Sequence, residues 1–218
     1  MKLIKPYTEI LSPIEGKEVL RTIERVARTC YKSEDKITDD SAEKMVKTLI
    51  TRDHEAMIEF FDITVKFVCD RGVSHEIVRH RIASYAQEST RYCNYSTNKH
   101  ENQLTFIIPN WLDLSKWDGN ITVPTINPSD IWLREMSRSE ISYLKLIDAG
   151  WQPQQARSVL PNSLKTEINA KYNLREWRHF FKLRCATAAH PQMRELAVPL
   201  LEEFKLKIPI IFDDILIN

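Results

Sequence analysis

Glycine is scarce in this chain: four in 218 residues, at positions 16, 72, 119 and 150. Neither G-x-G-x-x-G nor G-x-x-x-x-G-K-[ST] can be built from them, which excludes the two loops that cradle phosphates with backbone amides. A nucleotide held by this chain must be held by side chains. Cysteine is equally sparse. Cys30, Cys69, Cys93 and Cys185 lie far apart and form no C-x-x-C pair, which disfavours both a disulfide framework and structural zinc. Charge of one sign is missing too: 31 Lys and Arg against 30 Asp and Glu leave a net +1, short of the basic excess of a dedicated duplex-DNA binder. That balance still admits a local basic pocket. No apolar run reaches the length of a bilayer span. The opening residues, Met1 to Tyr7, lack an apolar stretch followed by a small-residue cleavage site. The expectation is a reduced, soluble, cytoplasmic protein with no membrane or nucleic-acid partner. Its length suits one domain with a real core, or one domain with a long insertion, and it carries no internal repeat or low-complexity segment.

The periodicities predict helices and strands in alternation. A first helix is expected from Ser12-Pro13-Ile14-Glu15, with Ser12 as cap and Pro13 in the first turn, running to about Cys30. Its apolar face is Val19, Leu20, Ile23, Val26 and Ala27. A second helix is expected from Asp40 to Thr51. Phe60 to Cys69 is rich in β-branched and aromatic residues and reads as a strand. Gly72 to about Ile82 reads as a helix, and Leu104 to Pro109 as a strand. Residues 110–127 form an excursion without a clear period. Helices are then expected over 129–149 and 152–160, a strand over 164–172, and helices over 174–185 and 190–206, with Asn173 as a cap. This is an α+β pattern.

The densest chemistry lies in Arg79-His80-Arg81-Ile82-Ala83-Ser84-Tyr85-Ala86-Gln87-Glu88-Ser89-Thr90-Arg91. Three fixed cations, an imidazole and a run of hydroxyls and amides ask for an anion, and the guanidinium fork suits phosphate. A metal reading starts from the surface similarity of His75-Glu76-Ile77-Val78-Arg79-His80 to the zinc-protease helix, which needs histidines four apart. Here they are five apart, about 140° around a helix, with Arg79 beside them to repel an ion, so no metal is expected. Two readings stay open on spacing alone: a solvated charged helix, and a phosphate site made of arginines and the Ser89-Thr90-Arg91 turn.

A second constellation is Asn173, Arg175, His179, Arg184, His190, Gln192 and Arg194. Arg175 and His179 share a helix face at i,i+4, while Phe180, Phe181 and Leu183 supply packing. An amphipathic helix with a charged outer face would look the same. His54-Glu55 and Ala156-Arg157-Ser158-Val159-Leu160-Pro161 add further candidates; a lone histidine such as His54 is more often structural. Cys185 follows Arg184, whose charge could lower a thiol pKa, but no histidine stands at an activating spacing, and it reads as structural.

Arg79-His80-Arg81, seven residues, Ser89 and then Arg91 resembles the signature of the flavin-dependent thymidylate synthases. Arg71-Gly72-Val73-Ser74-His75-Glu76, Ala156-Arg157-x-x-Leu160-Pro161, Asn173-Leu174-Arg175, Phe181-x-Leu183-Arg184 and His190-Pro191-Gln192-Met193-Arg194-Glu195 extend the resemblance over most of residues 50–200. Gln87 stands where some relatives carry glutamate, and His179 where asparagine is also found.

The resemblance implies reductive methylation of dUMP to dTMP. Methylenetetrahydrofolate is the one-carbon donor and NADPH-reduced FAD the hydride carrier, and no enzyme nucleophile is used. It implies that Ser89, Thr90 and Arg91 hold the dUMP phosphate, with Gln87 and with Arg157 from another subunit. Glu76 and Arg79 also belong to the dUMP set, and Arg184 grips the uracil ring as the catalytic group. Arg79, His80 and Arg81 are expected to contact FAD, with His54, Asn173, Arg175, His179 and His190 lining the flavin. The implied fold is one α+β domain over 1–218, with a central, mostly antiparallel sheet flanked by helices. It assembles as a homotetramer with shared active sites. The alternatives are a module that binds nucleic-acid phosphates and a catalytically inactive nucleotide-binding relative.

Overall fold

The computed structural model describes residues 1–115 and 126–217. In chain order the elements are β1 (Lys2–Ile4), β2 (Tyr7–Ile10), α1 (Gly16–Tyr31), α2 (Ser41–Thr51), β3 (Asp62–Asp70), α3 (Arg71–Ile77), β4 (Ala83–Gln87) and β5 (Thr105–Ile107). They continue with α4 (Pro128–Asp148), α5 (Pro153–Ala156), β6 (Lys165–Asn173), α6 (Leu174–Arg184) and α7 (Pro191–Lys207). Short 3-10 turns cover Glu34–Lys36, Glu55–Phe60, Asn98–His100 and Arg157–Val159.

Four strands form a sheet in the order β2-β3-β6-β4. Strand β6 runs antiparallel to both neighbours. At one end of β3, Arg71 N donates to Asn162 O at 2.9 Å, and at the other Leu174 N donates to Phe61 O at 3.0 Å. On the far side Glu88 N donates to Glu167 O at 2.9 Å. Ile63, Val65 and Phe67 alternate inward along β3 and are buried. A separate parallel pair joins β1 to β5, with Leu3 opposite Phe106. The architecture is mixed α/β, an antiparallel sheet flanked by helices, and among the described residues no helix is long and apolar enough to cross a membrane.

The chain divides into two compact units. One comprises residues 1–7, 68–76 and 87–168. Its core is Tyr95, Leu104, Phe106, Met136, Tyr143, Ala156 and Leu164, with Leu3 and Trp132 packed against it. Asn127 opens α4 by accepting from Ser129 N at 3.0 Å, with Pro128 in the first turn. Gly150 follows the end of that helix at φ 92°, a conformation open to glycine.

The other unit comprises residues 8–67, 77–86 and 169 onward. Helix α6 gives it an aromatic centre. Trp177 packs on Phe204 at 5.1 Å between centroids, and Phe181 on Phe204 at 5.1 Å and Phe212 at 5.7 Å. The indole N–H of Trp177, the one polar point of that buried ring, donates to Ile63 O at 3.1 Å. Arg178 is buried beside it and binds Glu55 and Asp214.

Several expectations are corrected. Ser12 does not cap α1; its Oγ accepts the Thr64 amide at 2.8 Å, so it serves a strand edge and the helix begins at Gly16. Helix α3 stops at Ile77 rather than near Ile82, because Ala83–Gln87 pairs as β4, a strand hidden by its polar, mixed composition. Strands β1 and β2 lie where no element was expected. Within the 110–127 excursion, residues 116–125 lie outside the described residues, and α4 starts at Pro128.

Candidate functional site

Between the end of α3 and the start of β4 the chain makes a five-residue passage, 78–82. A helix end leaves carbonyls without helical partners, and two tyrosines meet them here. Tyr85 Oη lies 2.8 Å from Ile77 O and 2.5 Å from His80 O, and Tyr172 Oη lies 3.3 Å from Ile77 O and 3.1 Å from Tyr85 Oη. One proton from each hydroxyl suffices for both carbonyls. Burial raises both phenols above their ordinary pKa, so they stay protonated donors. The passage turns His80 inward, 3% exposed, and leaves Arg79 and Arg81 outside.

Both ring nitrogens of His80 are engaged. Nδ1 is 2.7 Å from Glu176 Oε1, and Arg184 Nε donates to Nε2 at 3.2 Å. A guanidinium N–H can only donate, so Nε2 carries no proton and Nδ1–H is donated to the carboxylate. This hydrogen-bond pattern assigns the neutral Nδ1–H tautomer. Burial holds the imidazole below its ordinary pKa; Arg184 and His179 push the same way and Glu176 opposes them. Phe180 at 5.0 Å, His179 at 5.4 Å and Tyr172 at 5.9 Å between centroids complete the ring's surroundings. His80, expected to contact FAD, thus turns both ring nitrogens to Glu176 and Arg184 in this chain. His80, Glu176 and His179 bring donor atoms within 4.8 Å of one another. The occupied nitrogens and the adjacent Arg184 cation suit this set to a hydrogen-bond relay rather than a dication.

On the outer side of this cluster, Glu55, Glu59, Ile82, Asn173, Arg175, Glu176, His179 and Lys182 line a cavity of about 430 Å³. Asn173 caps α6 by accepting from Glu176 N at 2.9 Å, as its sequence predicts. The other half of a capping box is missing, since the Glu176 carboxylate turns to His80 instead. Arg175 is held by Glu59 at 2.6 Å, with Glu55 at 3.8 Å. His54 lines a neighbouring cavity of about 300 Å³ that shares Glu55 and Arg175 with the first. Of the residues expected at the flavin, His54, Asn173, Arg175 and His179 are thus gathered. His190 is exposed at the start of α7 and lines neither cavity.

In the other unit, Ser89-Thr90-Arg91 forms a turn after β4. Ser89 O accepts from Tyr92 N at 3.1 Å and Cys93 N at 2.9 Å, and Ser89 Oγ accepts from Arg91 N at 3.3 Å. Arg157 Nη1 donates to the buried Thr90 hydroxyl at 3.2 Å. This contact lies within one chain, and the expectation that Arg157 serves the dUMP phosphate of another subunit concerns the assembly. Arg91 lies over the Tyr92 ring at 5.4 Å. Gln87 Nε2 donates to Ser74 Oγ at 2.9 Å and Thr166 Oγ1 at 3.2 Å. Glu76 is half-buried near the end of α3.

Cys185 is buried, and burial pushes its thiol up to about 11, which rules it out as a thiolate nucleophile at neutral pH. Sequence reasoning missed Glu176, Tyr85 and Tyr172. Tyr85 lay within the thirteen-residue stretch but was given no role, and Tyr172 carried no motif. Glu176 had a visible signal, three residues after Asn173, but that spacing is fully explained by a helix cap.

Comparison with known proteins places the chain in a family. The family described as Thymidylate synthase complementing protein, Thy1, matches residues 14–210. A flavin-dependent thymidylate synthase of Pyrococcus furiosus is 33% identical over 194 residues, covering 86% of this chain and 75% of that protein. The namesake enzyme of Geobacter sulfurreducens is 31% identical over 195 residues, 86% of this chain and 78% of its own. A solved structure, the UMP/dUMP methylase PolB from Streptomyces cacaoi with bound 5-Br UMP, superposes with a TM-score of 0.72 over 98% of this chain and 95% of its own. At 18% identity that likeness speaks for the fold alone. The chain belongs to the Thy1 family, among relatives that are flavin-dependent thymidylate synthases.

Proposed function

We propose that this protein makes dTMP by reductive methylation of dUMP, with methylenetetrahydrofolate as carbon donor and NADPH as reductant of a bound FAD. The observation that carries the reading is Arg184, fixed by a buried neutral histidine whose neighbours Glu176 and His179 also line the cavity of about 430 Å³. The lining holds Arg175 and Lys182 as cations beside the carboxylates Glu55, Glu59 and Glu176. A flavin phosphate there must therefore draw Arg175 from Glu59 and Lys182 from Glu55. Asn173 and His179 supply polar contacts, and Ile82, 69% exposed, an apolar surface. Bound there, the flavin supplies the hydride.

The chain's own residues bind and polarise the nucleotide. Ser89, Thr90 and Arg91, with Arg157 and Gln87, hold a phosphate dianion with side chains, as a glycine-poor sequence requires. Glu76 and Arg79 complete the dUMP set, and Arg79 and Arg81 reach the flavin. Arg184 offsets negative charge on the uracil ring as C5 becomes nucleophilic, an oxyanion-hole role. No cysteine is needed for addition to the ring. One functional domain, a homotetramer with shared sites and a cytoplasmic location complete the proposal.

The test is tritium release from C5-labelled dUMP with methylenetetrahydrofolate, NADPH and FAD, then with FAD or NADPH withheld. Release that requires both is expected. Arg184→Ala is expected to keep its flavin spectrum and lose turnover by about 100-fold or more. A FAD-loaded, folded protein that releases nothing would instead be a nucleotide-binding relative. Retained turnover in Arg184→Ala would remove that residue from catalysis.

A further inference from the structure

We propose that Glu176 is a positioning residue for Arg184. Its carboxylate holds His80 in the Nδ1–H tautomer, so that Nε2 accepts from Arg184 Nε and sets the plane of the guanidinium. The inference rests on the reading of Arg184 as the group that meets the uracil ring.

Helix α6 presents both ends of the relay: Glu176 in its first turn and Arg184 as its last residue. Eight residues put them about 12 Å apart along the axis, and the imidazole from the 78–82 passage bridges them. A neutral imidazole has two tautomers. With the proton on Nε2, two donors would face each other across the 3.2 Å gap to Arg184. An ionised carboxylate only accepts, so Glu176 at 2.7 Å from Nδ1 selects the other tautomer. Glu176 is well placed for that task. Its own backbone N–H is tied to Asn173, its side chain is 11% exposed, and the positive end of the helix dipole favours its charge. The groups that face the imidazole are Glu176, His179, Phe180 and Arg184 from α6 and Tyr172 from β6, with Tyr85 on its backbone carbonyl. Among the carboxylates of the described residues, Glu176 is the one bonded to the His80 ring.

Protonation of Nε2 breaks this relay, because the acceptor becomes a donor and a second cation stands beside Arg184. Activity in the full-length, FAD-loaded protein should therefore fall at acid pH with a midpoint below the ordinary histidine value. In Glu176→Gln the amide can turn its NH₂ to Nδ1 and release the tautomer. Turnover is expected to drop on the order of 10- to 100-fold, as for other lost orienting partners, with KM for dUMP changed less than about threefold, because Ser89, Arg91 and Arg157 still hold the phosphate. Loss of the carboxylate that favours the imidazolium should also move the acid limb to lower pH. Glu176→Asp should restore the limb and part of the turnover.

Unchanged turnover in Glu176→Gln, or a loss with an unmoved acid limb, would overturn the relay and leave a packing role. If that variant fails to retain flavin, ¹⁵N-histidine NMR on the unsubstituted protein decides. His80 should be a neutral Nδ1–H tautomer near neutral pH, and an Nε2–H form would refute the inference. If the unsubstituted protein releases no tritium at all, the reading of Arg184 falls, and the NMR result still judges the relay by itself.

Discussion

Replacing Arg178 with methionine removes a charge from the interior while keeping most of the volume. The guanidinium donates to Glu55 Oε1 at 2.7 Å, to Asp214 at 2.6 and 2.8 Å, and to the Ile211 carbonyl. It thereby ties the 3-10 turn Glu55–Phe60 and α6 to the segment that follows α7. Removing one partner of a buried ionic cluster costs about 3–5 kcal/mol, mostly as the charge left behind. The lower end applies here. Asp214 has a side chain 47% exposed and can return to water, and Glu55 keeps Lys182 at 3.9 Å and Arg175 at 3.8 Å. About 3 kcal/mol corresponds to a fall in Tm of roughly 6–12 °C for a chain of this size. Urea and thermal melts at one fixed protein concentration measure it, and limited proteolysis should cut earliest within Ile211–Ile217. Asp214→Asn should cost well under half as much, because solvent screens that arm. The hydrogen bond from Arg178 holds the Asp214 carboxyl below its ordinary range. Its contribution is therefore present above about pH 4 and lost as pH falls through the depressed value. Arg178→Met should lack that acid-sensitive component. A variant within about 0.5 kcal/mol of the unsubstituted protein, or an Asp214→Asn loss as large as that of Arg178→Met, would refute this reasoning.

Two further outcomes are expected. Gly16→Ala would gain about 1 kcal/mol on helix propensity alone, but a Cβ at Gly16 would press on the Lys207 carbonyl oxygen, a backbone atom that cannot swing away. A net loss of about 1–3 kcal/mol in urea is expected, and equal or higher stability would contradict it. Iodoacetamide at neutral pH should label exposed Cys30 first and leave buried Cys185, its thiol pushed up to about 11, untouched until the protein unfolds. Rapid alkylation of native Cys185 would show that it is neither buried nor inert.

Strongly periodic stretches were legible. The apolar face of α1, the extent of α2, the β-branched run of β3 and the Asn173 cap all emerged where residue pattern and tertiary packing agree. The short strands were not. Lys2–Ile4, Tyr7–Ile10 and Ala83–Gln87 carry ordinary surface composition, and only pairing across the chain makes them strands. Ser12 shows the converse: a good local cap is diverted to Thr64, fifty-two residues away in sequence. At the site, charged residues announced themselves by type, so Arg79, Arg157, Arg175 and Arg184 stood out early. What sequence could not supply was the partner of each. That Arg175 meets Glu59, Arg157 meets Thr90 and His80 meets Glu176 are facts of long-range geometry. No spacing rule encodes a contact ninety-six residues apart.

The tyrosine-bound passage at 78–82 has an entropic consequence. Arg79 and Arg81 flank a residue whose carbonyl and both ring nitrogens are tied down, so their backbones are fixed before any anion arrives. Only side-chain rotamers remain to be ordered on binding, about 0.5–1.5 kcal/mol for each long side chain, whereas an untethered segment would also lose backbone freedom at roughly 1–2 kcal/mol per residue. Folding has already met that backbone cost. If Arg79 and Arg81 bind an anion as proposed, Tyr85 and Tyr172 would act on its affinity without touching it, by lowering the disorder that the anion has left to remove.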